Sequence, residues 1–197
     1  MTQFQDSSES NLILSHKGLT DTPYKRSKPE VTRVFVIQKN AKKVEEVISQ
    51  YGLRQLTTPD DGNCLFRSLS LQLHGHPDKQ AEIRKKIVAY MESIKERLLQ
   101  HFDSMDHLTR YIQDMSEEGT WGDELVLHCA ADKFQVEVHV LTCEDGNFYR
   151  HYKPSFKGET QDTSHRHIFL SFISPVHFQP ICSNKMWQRS QSIVDLS

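Results

Sequence analysis

The chain lacks any apolar run long enough to span a bilayer, and its N-terminus lacks the apolar segment of a secretory leader. Cysteine is sparse. Cys64, Cys129, Cys143 and Cys182 stand far apart, and no pair has the close spacing of a zinc-binding knuckle. Free thiols in a reducing cytosolic or nuclear setting are therefore the expectation. A strong charge of one sign is absent too, since the formal net charge is −2 with 25% charged residues. That balance argues against nucleic acid as a partner, and the short basic patch of Lys25, Arg26, Lys28 and Arg33 reads as part of a solvated tail. No internal repeat is present. A length of 197 residues suits one domain with tails, expected as a monomer with no membrane insertion.

What is present centres on Asp60-Asp61-Gly62-Asn63-Cys64-Leu65-Phe66-Arg67-Ser68. Pro59 and the turn formers after it run straight into Cys64, after which Leu65, Leu69 and Leu73 recur every four residues and Gly75 supplies a stop. Cys64 is thus expected at a helix N-terminus. There, unpaired N–H groups and the helix dipole favour a thiolate, and Gly62 and Asn63 can turn further N–H groups toward an oxyanion. A buried structural cysteine is the ordinary alternative.

Residues 1–30 are polar and read as a flexible tail, with the main domain expected over 31–182 and a second tail over 183–197, for which a docking segment around Met186 and Trp187 is the alternative. Val34 to Ile37 suggests a short strand, and Asn40 a cap for a helix with Val44, Val47, Ile48 and Tyr51 on one side. Pro77-Asp78 opens a long helix with Ile83, Ile87, Met91, Ile94 and Leu98 inward, and Arg84, Lys85 and Lys86 on a solvated face. Asp103 or Ser104 starts another helix, and Asp123 caps one with Cys129 inward. The period then changes to two. Val136, Val138 and Val140 alternate with polar residues, Glu144 to Asn147 reads as a hairpin turn before Phe148 to Tyr152, and strands follow at Ile168 to Ile173 and from Val176. Helices first and strands later indicate an α+β fold.

A thiol nucleophile needs an imidazole. Of eleven histidines, most fall at helix ends, on strand surfaces as His139 and His151 do, or beside a loop as His167 does, whereas His177 follows a turn between two apolar strands. Three segments then carry a resemblance. Asp61 to Ser68 resembles the nucleophile segment of the OTU (ovarian tumour) family of cysteine proteases. Glu118 to Asp123 resembles that family's glycine-tryptophan-glycine segment, and Ile168 to Leu170 with Pro175 to Phe178 its histidine segment. The three occur in family order over about residues 45 to 181.

The resemblance implies a papain-like OTU fold, a small and mostly antiparallel sheet between helices, and removal of ubiquitin from proteins and polyubiquitin chains. Cys64 is then the nucleophile and His177 the base, with no metal or organic cofactor. For the group that orients the imidazole, Asp61 is the first choice and Gln179 the second; many family members carry Asp or Asn where this chain has Gln179. Trp121 and Gly122 either flank a groove for the extended tail of ubiquitin or, in the case of Trp121, plug the core. The acidic residues Glu117, Glu118, Asp123 and Glu124 either face that basic tail or form a solvated turn. The alternatives are an inactive ubiquitin-binding relative and a protease for another ubiquitin-like modifier.

Overall fold

The computed structural model describes residues 31–142, 148–155, 166–173 and 177–183. The expected strand at Val34 to Ile37 is instead the first half of a helix, α1 (Val31–Ser49), which runs on through Asn40 without a cap there. The reason lies downstream, where Ala41, Val44 and Ile48 recur at helical spacing and Val44 and Ile48 are buried against Ile181. Val47 and Tyr51, expected on the same side, are exposed. After β1 (Leu53–Gln55) come α2 (Cys64–His74), α3 (Gln80–Ser93), the single turn α4 (Lys95–Leu98), α5 (Met105–Ser116) and α6 (Glu124–Phe134). The helix starts and stops obey local chemistry. Gly75 ends α2 at φ 85°, Ser104 Oγ caps α5 by accepting from His107 N, and Asp123 caps α6 by accepting from Val126 N. The long helix expected from Pro77 breaks at Ile94.

Strands β2 (Val136–Thr142), β3 (Tyr149–Tyr152), β4 (Arg166–Ile173) and β5 (His177–Ser183) complete a five-stranded sheet of order β1-β5-β4-β2-β3. Three of its pairings are antiparallel, as expected, but β4 lies parallel to β2. Strand β3 returns on one side of β2 and β4 on the other, which alternation along each strand does not specify. One sheet face, with Val138, Val140, Ile168 and Leu170, meets α2, α3 and α6 in the main core; α1 covers part of the other. Strand β5 includes Ser183, while residues 1–30, the expected turn Glu144 to Asn147 with Cys143, residues 156–165, residues 174–176 with Val176, and 184–197 lie outside the described residues. Among the described residues no helix is long and apolar enough to cross a membrane.

Arg84 departs most from expectation. Rather than lying on a solvated face it is 2% exposed, and its guanidinium donates to Gly62 O (3.2 Å), Asn63 Oδ1 (2.8 Å), Thr120 O (2.9 Å) and Met115 O (3.0 Å). It also sits 3.7 Å from the Phe66 ring centroid. Burial lowers its pKa to about 10, so it remains a cation at neutral pH. Asn63 Oδ1 accepts a second bond from Gly119 N (3.1 Å), and Gly62, at φ 83°, packs so close that an added Cβ would lie 1.8 Å from Gly119 O. Replacing Arg84 by Met keeps the apolar stem and strands these acceptors. Arg84→Met is expected to lower stability by about 3 kcal/mol or more, read as a lower urea midpoint; an unchanged midpoint would show that the staple is dispensable.

Candidate active site

The approach of Cys64 to the start of β5 follows from how α2 lies along that strand. Cys64, Ser68 and Gln72 are spaced by four and share one stripe of an otherwise apolar helix. Gln72 Nε2 donates to Ile181 O (2.6 Å), and Ser68 Oγ reaches Phe178 O at 3.4 Å while donating to Cys64 O at 2.7 Å. At the head of the stripe Phe178 N lies 3.5 Å from Cys64 Sγ. The residue after the histidine thus touches the sulfur. That polar stripe was visible in the sequence, and Ser68 and Gln72 are site-building residues that motif reading passed over.

His177 is 4% exposed, and its two ring nitrogens have different company. Nε2 lies 3.3 Å from the Gln179 amide nitrogen and 3.4 Å from Thr58 Oγ1. Thr58 spends its own proton on Phe178 O at 2.9 Å, so its lone pairs are left to receive Nε2–H. Nδ1 faces Asp60 Oδ1 at 3.6 Å, too far for a hydrogen bond and close enough for charge attraction. Asp61, the first choice for the orienting group, points elsewhere. Its Oδ1 accepts from Arg67 Nη1 (2.5 Å) and from Asn63 N (3.0 Å), tying the turn to α2. Burial alone would raise the Asp61 pKa; the Arg67 and Asn63 bonds outweigh it and hold the carboxyl below its usual range. Gln179 therefore touches the imidazole and Asp61 does not.

Electrostatics at the sulfur also differ from expectation. Cys64 begins α2 as predicted, yet it is 1% exposed and burial pushes its pKa up to about 12; the N–H groups of Phe178 and Leu65 pull it down, and the charges of Asp60 and Asp61 push it up again. Burial likewise lowers the pKa of His177 against the opposing pull of Asp60 and Asp61. The resting pair is thiol and neutral imidazole. Asn63 N–H is already committed to Asp61, and its side chain to Arg84, so Asn63 braces the turn, and it is the N–H groups of Leu65 and Phe178 that face the sulfur.

Trp121 is 4% exposed within the main core. Gly122 packs on Leu65, where a Cβ would come within 2.5 Å of that side chain, and lines a cavity of about 140 Å³ with Asp123, Glu124, Tyr152, Phe172 and Phe178. Of the acidic residues, Glu117 and Glu118 are exposed, Asp123 accepts from Tyr111 Oη at 2.9 Å as well as capping α6, and Glu124 accepts from Tyr152 Oη at 2.8 Å.

A family profile described as OTU-like cysteine protease matches residues 59–178. Ovarian tumor domain-containing deubiquitinating enzyme 10 of Arabidopsis thaliana is 33% identical over 138 residues, 70% of this chain and 37% of that protein. Enzyme 11 of the same series and organism is 31% identical over 137 residues, 70% of this chain and 53% of that protein. The chain thus spans only about a third to a half of these relatives' length. Among solved structures, the OTU domain of OTUD1 superposes with a TM-score of 0.65 at 17% identity, covering 77% of this chain and 99% of that one. An ovarian tumor domain in complex with ubiquitin gives 0.52 at 16% identity, covering 68% and 71%. At such identities the structural likeness speaks to fold alone, and it agrees with the α+β, papain-like architecture.

The protonation state is directly testable. With a pKa near 12 the Cys64 thiolate fraction at pH 8 is far below that of a free thiol. Iodoacetamide should label Cys64 roughly a thousandfold more slowly than a free cysteine at that pH, with the rate rising as pH climbs toward 12. Peptide mapping by mass after timed labelling reads this out, and labelling already saturated with pH at 7 would contradict a neutral resting thiol.

Proposed function

Since the chain belongs to the OTU family of cysteine proteases, we propose that it hydrolyses the isopeptide bond between the C-terminal glycine of ubiquitin and a lysine. The observation that carries this reading is the buried constellation at the head of α2, where Phe178 N touches Cys64 Sγ and the His177 ring is held by Thr58 and Gln179. With Nε2–H directed to Thr58 Oγ1 and the Gln179 amide beside it, the Nδ1 lone pair is the proton acceptor. As Cys64 Sγ attacks the glycine carbonyl carbon, its proton passes to Nδ1 and the C–S bond forms. Asp60, 3.6 Å from Nδ1, then steadies the imidazolium, and the N–H groups gathered at the sulfur are placed for the oxyanion. His177 returns the proton to the lysine amine as the C–N bond breaks. Water attacks the thioester, its proton goes to Nδ1 and then to Sγ, and ubiquitin leaves as the free acid.

Gln179 suits this cycle in a way an aspartate does not. Its amide donates to a bare Nε2 or, turned over, accepts from Nε2–H, so it follows the ring through either protonation state. The ring is oriented without adding a third carboxylate to a pocket that already holds Asp60 and Asp61. The cavity lined by Gly122, Phe172 and Phe178 adjoins this pocket through Phe178 and is the surface against which an extended peptide tail would lie.

Ubiquitin carrying a C-terminal electrophile should form a single adduct with the chain, seen as intact mass, that disappears in Cys64→Ala. His177→Ala should slow cleavage of a ubiquitin amide substrate by about a hundredfold or more. Gln179→Leu should cost roughly tenfold in kcat, the equivalent of one hydrogen bond, and displace the pH profile, whereas Asp61→Asn should act mainly on stability. No adduct from a folded wild-type chain would sink the protease reading in favour of a binding module or another modifier. A larger kcat loss in Asp61→Asn than in Gln179→Leu would reverse the assignment of the orienting group.

A further inference from the structure

The sheet face that α1 leaves open carries a group of side chains unrelated to Cys64. Glu137 and His139 are two apart on β2, so both leave the sheet on the same side. In the parallel pairing with β4, His167 stands opposite Glu137; in the antiparallel pairing with β3, His151 stands opposite His139. Two adjacent rungs across three strands therefore gather three imidazoles and a carboxylate. His139 Nε2 is 2.7 Å from His167 Nδ1, His167 Nδ1 is 3.8 Å from Glu137 Oε2, and one ligand atom from each of these three residues lies within 4.8 Å of the others.

We propose that Glu137, His139 and His167 form a binding site for a divalent transition-metal ion of the zinc class, held by two imidazoles and a carboxylate with a position open to water. Zinc bond lengths near 2.0 to 2.2 Å set tetrahedral ligand atoms roughly 3.3 Å apart, and the observed separations fall on either side of that spacing. An independent feature is the support behind His139 and Glu137. Metal-bound histidines characteristically give their other ring nitrogen to an oxygen, and here His139 Nδ1 lies 2.5 Å from Tyr149 Oη. The Glu137 carboxylate is steadied by His151 Nε2 at 2.7 Å. The His139 ring is stacked between those of His151 (centroids 4.3 Å apart) and Phe169 (4.7 Å), which fixes its plane before any ion arrives. On binding, the ring proton now shared between His139 Nε2 and His167 Nδ1 would move to the other nitrogen of its ring, leaving both lone pairs for the ion. Such an ion would tie β4 to β2 directly, and the four-residue edge strand β3 only through Tyr149 and His151.

The probe is zinc chloride titrated calorimetrically into the full chain after chelator stripping, with cobalt(II) as a spectroscopic substitute. One equivalent should bind, and cobalt should show d–d absorption with no thiolate charge-transfer band. His167 is exposed, so His167→Ala should leave the circular dichroism spectrum intact while weakening zinc binding about tenfold or more; Tyr149→Phe should weaken it about tenfold. Cys64→Ala should bind as wild type does. Absence of saturable uptake, uptake unchanged in His167→Ala, or a thiolate band lost in Cys64→Ala would each overturn the site and leave the cluster as a stacking network alone.

Discussion

The turn that leads into Cys64 is held in shape by a buried cation, Arg84. Taking a guanidinium out of water is costly unless its donors find partners, and among the described residues the two terminal nitrogens of Arg84 bond to carbonyl and amide oxygens, without a carboxylate, while its buried Nε has no partner. Carbonyls are fixed to the main chain, so satisfying this charge also fixes the positions of Gly62, Met115 and Thr120 relative to one another. Asn63 joins the same knot by accepting from both Arg84 and Gly119. Two segments more than fifty residues apart are thereby locked together, and the close approach leaves no room for a Cβ at Gly62. The position of Cys64 is a consequence of that lock as much as of the helix it begins.

Legibility from sequence followed the range of the interactions. The turn into Cys64, the caps at Ser104 and Asp123 and the stop at Gly75 are set by neighbours within a few residues, and the structure places them as read. Apolar spacing also located the cores of α2, α5 and α6. Val34 to Ile37 misled because four apolar residues fit a strand or a helix equally, and only the continuation to Val44 and Ile48 decides between them. Arg84 misled because its charge was taken as evidence of solvent, when the oxygens that receive it come from Met115 and Thr120 far along the chain. The parallel placement of β4 beside β2, and with it the histidine cluster, requires knowing which strands are neighbours and in what register.

The active-site candidates divide along the same line. Cys64 and His177 were readable as residue types in a recognisable setting. Which group orients the imidazole was not, because Asp60 and Asp61 are adjacent in sequence and point in different directions once Arg67 captures Asp61. Thr58 carried no signal of its own. Its role follows from a single proton already committed to Phe178 O, which only coordinates can reveal.

Magnitudes decide how the thiol must be activated. A helix N-terminus favours an anion by about 0.3 to 1 kcal/mol, and more in partly buried settings. The shift of Cys64 from 9.0 to about 12 corresponds to about 4 kcal/mol in the opposite direction. Burial therefore wins over the dipole, and a preformed thiolate–imidazolium pair is not the resting state. In the proposed cycle, proton transfer to His177 therefore accompanies attack on the carbonyl, when charge is passing from sulfur to an oxyanion that N–H groups can stabilise. On that proposal the closed pocket has a chemical use: a buried neutral thiol resists oxidants and stray electrophiles until substrate arrives.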